Sequence, residues 1–180
     1  MRSTFFSFLF VILATGAALA QNGVPSAELV KSSPRAADLT KSFDEFSIDL
    51  PNETWRVTNK TVNAEMVYGD RLDGYLQIRK ITVDQGAMLS DVIDREINQK
   101  LQFKPGFVNG KEESFKGNLS GKAANYEYTE SGKAMIGRAY FLQTADNKTV
   151  YVLRFTGLRD KLRLLRNQTD SIARSFELKK

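Results

Sequence analysis

From Phe46 the chain alternates apolar and polar residues. Phe46, Ile48 and Leu50 are separated by Ser47 and Asp49, the period of a half-buried strand. Pro51 closes that strand because it has no N–H to give to a ladder. Trp55 follows a short polar turn. Val62, Ala64, Met66 and Tyr68 alternate again, and the polar stretch from Gly69-Asp70 to Asp73-Gly74 predicts a turn. Residues 75–83 predict a third strand, with Leu76 and Ile78 on one face and Ile81 and Val83 on the other. The period then lengthens. Leu89, Val92, Ile93, Ile97, Lys100 and Leu101 recur at helical spacing, with Ser90-Asp91 as the expected N-cap and Pro105-Gly106 as the stop.

Beyond the helix comes a polar stretch in which Asn109-Gly110 predicts a hairpin turn. Ala124, Tyr126 and Tyr128 alternate with polar residues, Ser131-Gly132 turns the chain into a strand over 135–143, and Asp146-Asn147 turns it into another over 149–156. Residues 150–155 are apolar on both faces apart from Arg154, which predicts a central strand covered on both sides. Leu158, Leu162, Leu165, Thr169, Ile172 and Phe176 then predict one amphipathic helix. The order is strands, helix, three or four strands, helix. It predicts an α+β fold: an α/β/α sandwich with a mainly antiparallel sheet flanked by two helices.

The N-terminal end has a different pattern. Arg2 is the only charge before Glu28, and it precedes an apolar run and the small-residue end Ala18-Leu19-Ala20. That is the form of a cleavable secretory signal over residues 1–20. Residues 21–41, with Gly23, Pro25 and Pro34 and no apolar period, read as a linker, and 42–180 as the domain. No Cys follows Ala20 to carry a lipid, and no later stretch approaches membrane-spanning length. The expected location is periplasmic or secreted, with no membrane span after signal cleavage.

Composition removes several kinds of chemistry. The chain has no His and no Cys, so a Ser-His-Asp triad, a Cys nucleophile, a Cys/His zinc site and disulfides are all excluded. Lys and Arg total 26 against 21 Asp and Glu; without Arg2 the count is 25 against 21, or +4. That modest excess favours solubility and mild attraction to anionic surfaces. Nucleic acid is not expected as a ligand in an exported protein. Five Asn residues (52, 59, 118, 147 and 167) stand in Asn-x-Ser/Thr triplets, which a turn preference for Asn explains without glycosylation.

Few residues are left as site candidates. Arg159, Arg163, Arg166 and Arg174, with Asp170 among them and Lys161 and Arg154 nearby, recur at helical spacing. They form a possible interaction face for an anionic polymer, phosphate or an acidic protein, set against the plainer reading of a solvated helix face. Glu112-Glu113, Glu127-Glu130 and Asp91-Asp94 are the closest carboxylate groupings, with no sign of the burial a catalytic acid needs. Tyr126, Tyr128 and Tyr140 suit either a stacking platform or the core. No catalytic, cofactor or metal residue is assigned, and no cofactor is expected.

Three segments carry a resemblance. They are Phe46-Ser47-Ile48-Asp49-Leu50-Pro51 with Trp55, the run Val150-Tyr151-Val152-Leu153, and Asp170-Ser171-Ile172-Ala173-Arg174-Ser175-Phe176. With the element order, they make residues 43–176 similar to the PsbP-like superfamily, whose members include many bacterial exported proteins of unknown role. The resemblance implies an α/β/α sandwich acting as a non-catalytic binding or assembly factor. Metal contacts proposed for the photosystem branch use His, absent here, so no functional residue carries over. The expected function is an exported, non-enzymatic binding or accessory protein whose partner is a protein or envelope component. The alternative is a small-molecule or lipid binder using a groove between sheet and helix, with a carboxylate-dependent hydrolase behind it.

Overall fold

The computed structural model describes residues 40–42, 45–51, 55–57, 66–70 and 74–180. The predicted signal, nearly all of the predicted linker, and Val62 and Ala64 lie outside the described residues. Seven strands form one sheet: β3 (Trp55–Val57), β4 (Met66–Asp70), β5 (Gly74–Thr82), β6 (Val108–Lys116), β7 (Ser120–Glu130), β8 (Lys133–Gln143) and β9 (Thr149–Leu158). Their spatial order is β3-β4-β5-β9-β8-β7-β6, and every neighbouring pair is antiparallel. Three shorter strands, β1 (Thr40–Ser42), β2 (Phe46–Asp49) and β10 (Glu177–Leu178), make a second small sheet.

β9 occupies the centre, as its two apolar faces require. Tyr151, Leu153 and Phe155 enter one core with Leu76, Ile78, Tyr140 and Leu142. That core is closed by Phe46 and Ile48 of β2, by Leu162, and by Ile172 and Phe176. Val150 and Val152 enter the other core with Val83, Phe141, Val92, Ile93 and Ile97. Leu76 and Ile78 thus separate from Ile81 across β5, and from Val83 just beyond it, the division the alternation predicts. Trp55 seals the first core, 2% exposed, its ring edge-on to Phe155 at 5.8 Å. A helical layer on each face completes the sandwich.

The turns follow local chemistry. Ser131 and Gly132 both take positive φ, 50° and 74°, between paired Glu130 and Lys133, the geometry of a two-residue hairpin turn. Asn147, at φ 57°, turns β8 into β9, braced by the Asp146 carboxylate, which accepts from Thr144 and from the Lys148 amide.

Three sequence expectations need correction. Ser90-Asp91 is not the N-cap: α1 (Leu89–Ile93) starts earlier, after extended Met88, with no side-chain cap. Packing of Ala87 and Leu89 on the second core draws the start back, and Asp91 instead sits in the first turn, where it complements the dipole. α1 then widens into a π-helical turn over Asp94–Gln99, which buries neighbours Glu96 and Ile97 together. Asn109-Gly110 is not a turn but lies inside β6, where the register slips between Asn109 and Glu112. A Cβ on Gly110 would stand 2.7 Å from the Asn125 carbonyl oxygen, so glycine lets the bulged strand lie close. β6 escaped the hydrophobic pattern because it is an edge strand, exposed except at Phe115. Finally, the closing helix is two, α2 (Arg159–Leu164) and α3 (Arg166–Ser175), broken at Leu165 with φ −90° and ψ 4°. Leu158 ends β9 and is exposed rather than part of the buried stripe.

Candidate functional site

β7 and β8 turn one set of alternate residues toward α2 and α3. On that face an arginine stands in an otherwise apolar strand: Arg138, 7% exposed. Burying a guanidinium is costly unless its donors are satisfied, and here they are. Nε donates to the Tyr140 hydroxyl at 2.8 Å and to Asp170 of α3 at 3.1 Å. Nη1 donates to Asn125 of β7 at 2.9 Å, and Nη2 to Glu113 of β6 at 3.3 Å. The guanidinium also lies 5.2 Å from the centre of the Tyr140 ring. Tyr140 in turn donates to Asp170 and shares a hydrogen bond of 2.9 Å with Thr169, whose hydroxyl reaches the Arg166 carbonyl. The network ties three strands to the last helix.

The electrostatics follow from that packing. Burial, then the hydrogen bond to Asp170, pushes the Tyr140 phenol up, so it stays protonated and donating. For Arg138 burial works against charge, but Tyr140 and Asp170 outweigh it and its pKa is raised. Asp170, which the sequence places among surface arginines, is therefore an internal counter-charge. A lone Arg within the apolar run 135–142 is the signal that marks this site.

Beside the network a cleft of about 410 Å³ opens between the sheet and α2–α3. Its apolar floor is Ile136 and Leu162; Lys111, Arg163 and Arg166 stand in its walls, with Glu113 and Glu127. Glu127 accepts from Arg159 at 2.6 Å, and Glu113 lies 3.6 Å from Arg166 besides its contact with Arg138. The side chains of Lys111 and Arg163 meet no carboxylate among the described residues. The four predicted arginines therefore divide. Arg163 and Arg166 line the cleft and Arg159 flanks it through Glu127. Arg174 lies elsewhere, donating to the Lys116 carbonyl at 2.7 Å and covering the Phe115 ring at 5.4 Å. Arg154 is on the opposite face of the sheet, bound to the carbonyl of Glu96.

The carboxylate groupings do not converge. Glu112 pairs with Lys122 and Glu113 with Arg138, so these neighbours point apart. Glu127 faces Arg159, whereas Glu130 pairs with Lys104. Asp94 accepts from Asn98 and Gln99. Among the described residues the most buried acid is one the sequence reading missed: Glu96, 3% exposed, with Arg79 and Lys100 each at 2.6 Å and Arg154 at 3.5 Å. The tyrosines are core residues on two faces. Tyr126 and Tyr128 stack at 6.2 Å in the second core, and Tyr140 belongs to the first. The Tyr126 ring covers Gly137 so closely that a Cβ there would lie 1.9 Å from it.

Comparison with known proteins adds the fold's relatives. No family model matches the sequence, and no curated protein matches it significantly. Solved structures do. The solution structure of cyanobacterial PsbP from Synechocystis matches with a TM-score of 0.55 at 12% identity, over 74% of this chain and 86% of that one. The chain has the PsbP-like fold. LpqN of Mycobacterium tuberculosis, described as involved in cell envelope biogenesis, matches at 0.52 and 19% identity, over 75% of this chain and 84% of that one. A Pseudomonas aeruginosa protein of unknown function matches at 0.51 and 12% identity, over 78% and 96%. At these identities the shared property is the architecture alone. Among the described residues no helix is long and apolar enough to cross a membrane.

Proposed function

We propose that this PsbP-like chain is an exported, non-enzymatic accessory protein that binds an envelope component through the face formed by β6–β8, α2 and α3. The cleft carries this reading: cations stand over a small apolar floor, anchored by a guanidinium that three strands and a helix hold in place. Its acids are each engaged by arginine, an arrangement suited to holding a partner rather than to proton transfer. Export rests on residues 1–20, with the envelope role of LpqN as support. The alternative of a small-molecule binder has one observation in its favour, a cleft of about 410 Å³, within the size range of ligand sites. Its lining has one aromatic, Tyr126, against the charged Lys111, Glu113, Glu127, Arg138, Arg163 and Arg166, which speaks against a lipid tail.

Two measurements test the reading. Mass spectrometry of the chain recovered from the envelope of its host is expected to find Gln21 first; retention of residues 1–20 would remove the export claim. In the same extracts the chain is expected to migrate in an assembly heavier than itself, and Lys111→Glu with Arg163→Glu to return it to its own mass. A chain that runs alone in both forms would overturn the surface claim.

A further inference from the structure

The cleft allows a narrower statement, which rests on that surface reading. We infer that it binds a small oxyanion, a carboxylate or a phosphate, borne on a compact apolar body. In and beside it stand five cationic side chains, Lys111, Arg138, Arg159, Arg163 and Arg166, against three carboxylates, Glu113, Glu127 and Asp170. The carboxylates are taken up by Arg138, Arg159 and Arg166, which leaves the excess at Lys111 and Arg163. Lys111 comes from bulged β6 and Arg163 from α2, both lining the same cleft. An oxyanion between them receives a point charge from one side and a bidentate fork from the other. Ile136 and Leu162 lie beneath, an apolar surface that free phosphate leaves uncovered. Glu113 is held by Arg138 and Arg166 and Glu127 by Arg159, so the charges of Lys111 and Arg163 are the ones left for an incoming anion. The cleft suits a ligand of modest size.

Calorimetry on the exported chain tests this with four probes: phenyl phosphate, benzoate, inorganic phosphate and benzyl alcohol. Phenyl phosphate and benzoate are expected to bind at one site, inorganic phosphate more weakly, and benzyl alcohol not at all. Lys111→Ala and Arg163→Ala, both exposed and outside the core, are each expected to weaken phenyl phosphate by about tenfold. Arg174→Ala, away from the cleft, is expected to leave it unchanged. The ratio of phenyl phosphate to benzoate affinity separates phosphate from carboxylate as the natural group. Phosphatidylglycerol vesicles separate a headgroup, whose binding the same variants abolish, from a free small molecule. Binding insensitive to both variants, or no heat from any anion at millimolar concentration, overturns the inference. If the probes fail while the charge-reversed chain still leaves its assembly, the oxyanion claim falls and the surface reading stands.

Discussion

Tyr140 and Arg138 depend on each other: the phenol stays neutral and donating because it is buried against Asp170, and the guanidinium stays charged because both lie beside it. Removing the hydroxyl leaves Arg138, Thr169 and Asp170 short of a partner in a largely buried setting. Tyr140→Phe is therefore expected to cost about 1–3 kcal/mol in urea unfolding, and an unchanged midpoint would contradict the network. Tyr126 and Tyr140 both have raised values in the fold, from an ordinary value near 10. Their contribution to stability is full below the unfolded value and is lost as pH rises from there through the raised folded values. Unfolding midpoints are thus expected to fall in alkali, less steeply in Tyr140→Phe; parallel slopes would refute that assignment. Glu96 is the one carboxylate among Arg79, Lys100 and Arg154 in the described residues. Glu96→Gln leaves three cations close together and is expected to cost about 3–5 kcal/mol, read in the same assay.

The elements differ in how firmly they are held. β9 is central and buried on both faces, with β5 and β8 hydrogen-bonded beside it, whereas β6 is an exposed, bulged edge. Amide exchange is expected to be slowest in β9 and β8 and fastest in β6; the reverse order would contradict this core. Leu153→Ala in β9, fully buried, is expected to cost about 2–5 kcal/mol. The same contrast explains what could be read in advance. β2, β5, β7, β8 and β9 were legible because alternation or two-sided apolarity marks a strand whose side chains are buried. β6 was not, because an edge strand bathed in solvent needs no apolar partners, and Asn-Gly has the same letters in a bulge as in a turn. The closing helix was legible as a stripe from Leu162 to Phe176, but its break at Leu165 was not, since the buried spacing persists across it. At the site, the arginines of α2 and α3 could be found by spacing. Arg138 and Asp170 could not be joined from sequence, because their contact spans 32 positions and depends on how α3 lies on the sheet.

Across the whole molecule, the seven-stranded sheet separates two cores. The side of the sheet under α2 and α3 opens at β6–β8 into a cleft whose cations exceed its acids. A second depression of about 400 Å³, beside Gln85–Leu89 and Asp146–Asn147, has no such excess: its lining holds one Lys and one Asp. A two-dimensional amide NMR titration with phenyl phosphate tests the cleft most directly. The shifts are expected to cluster at residues 111, 125, 136–138 and 162–166, with Arg79, Lys100 and Arg154 unmoved. Shifts centred on those three cations, or spread evenly over the surface, would contradict the assignment of the cleft as the binding site.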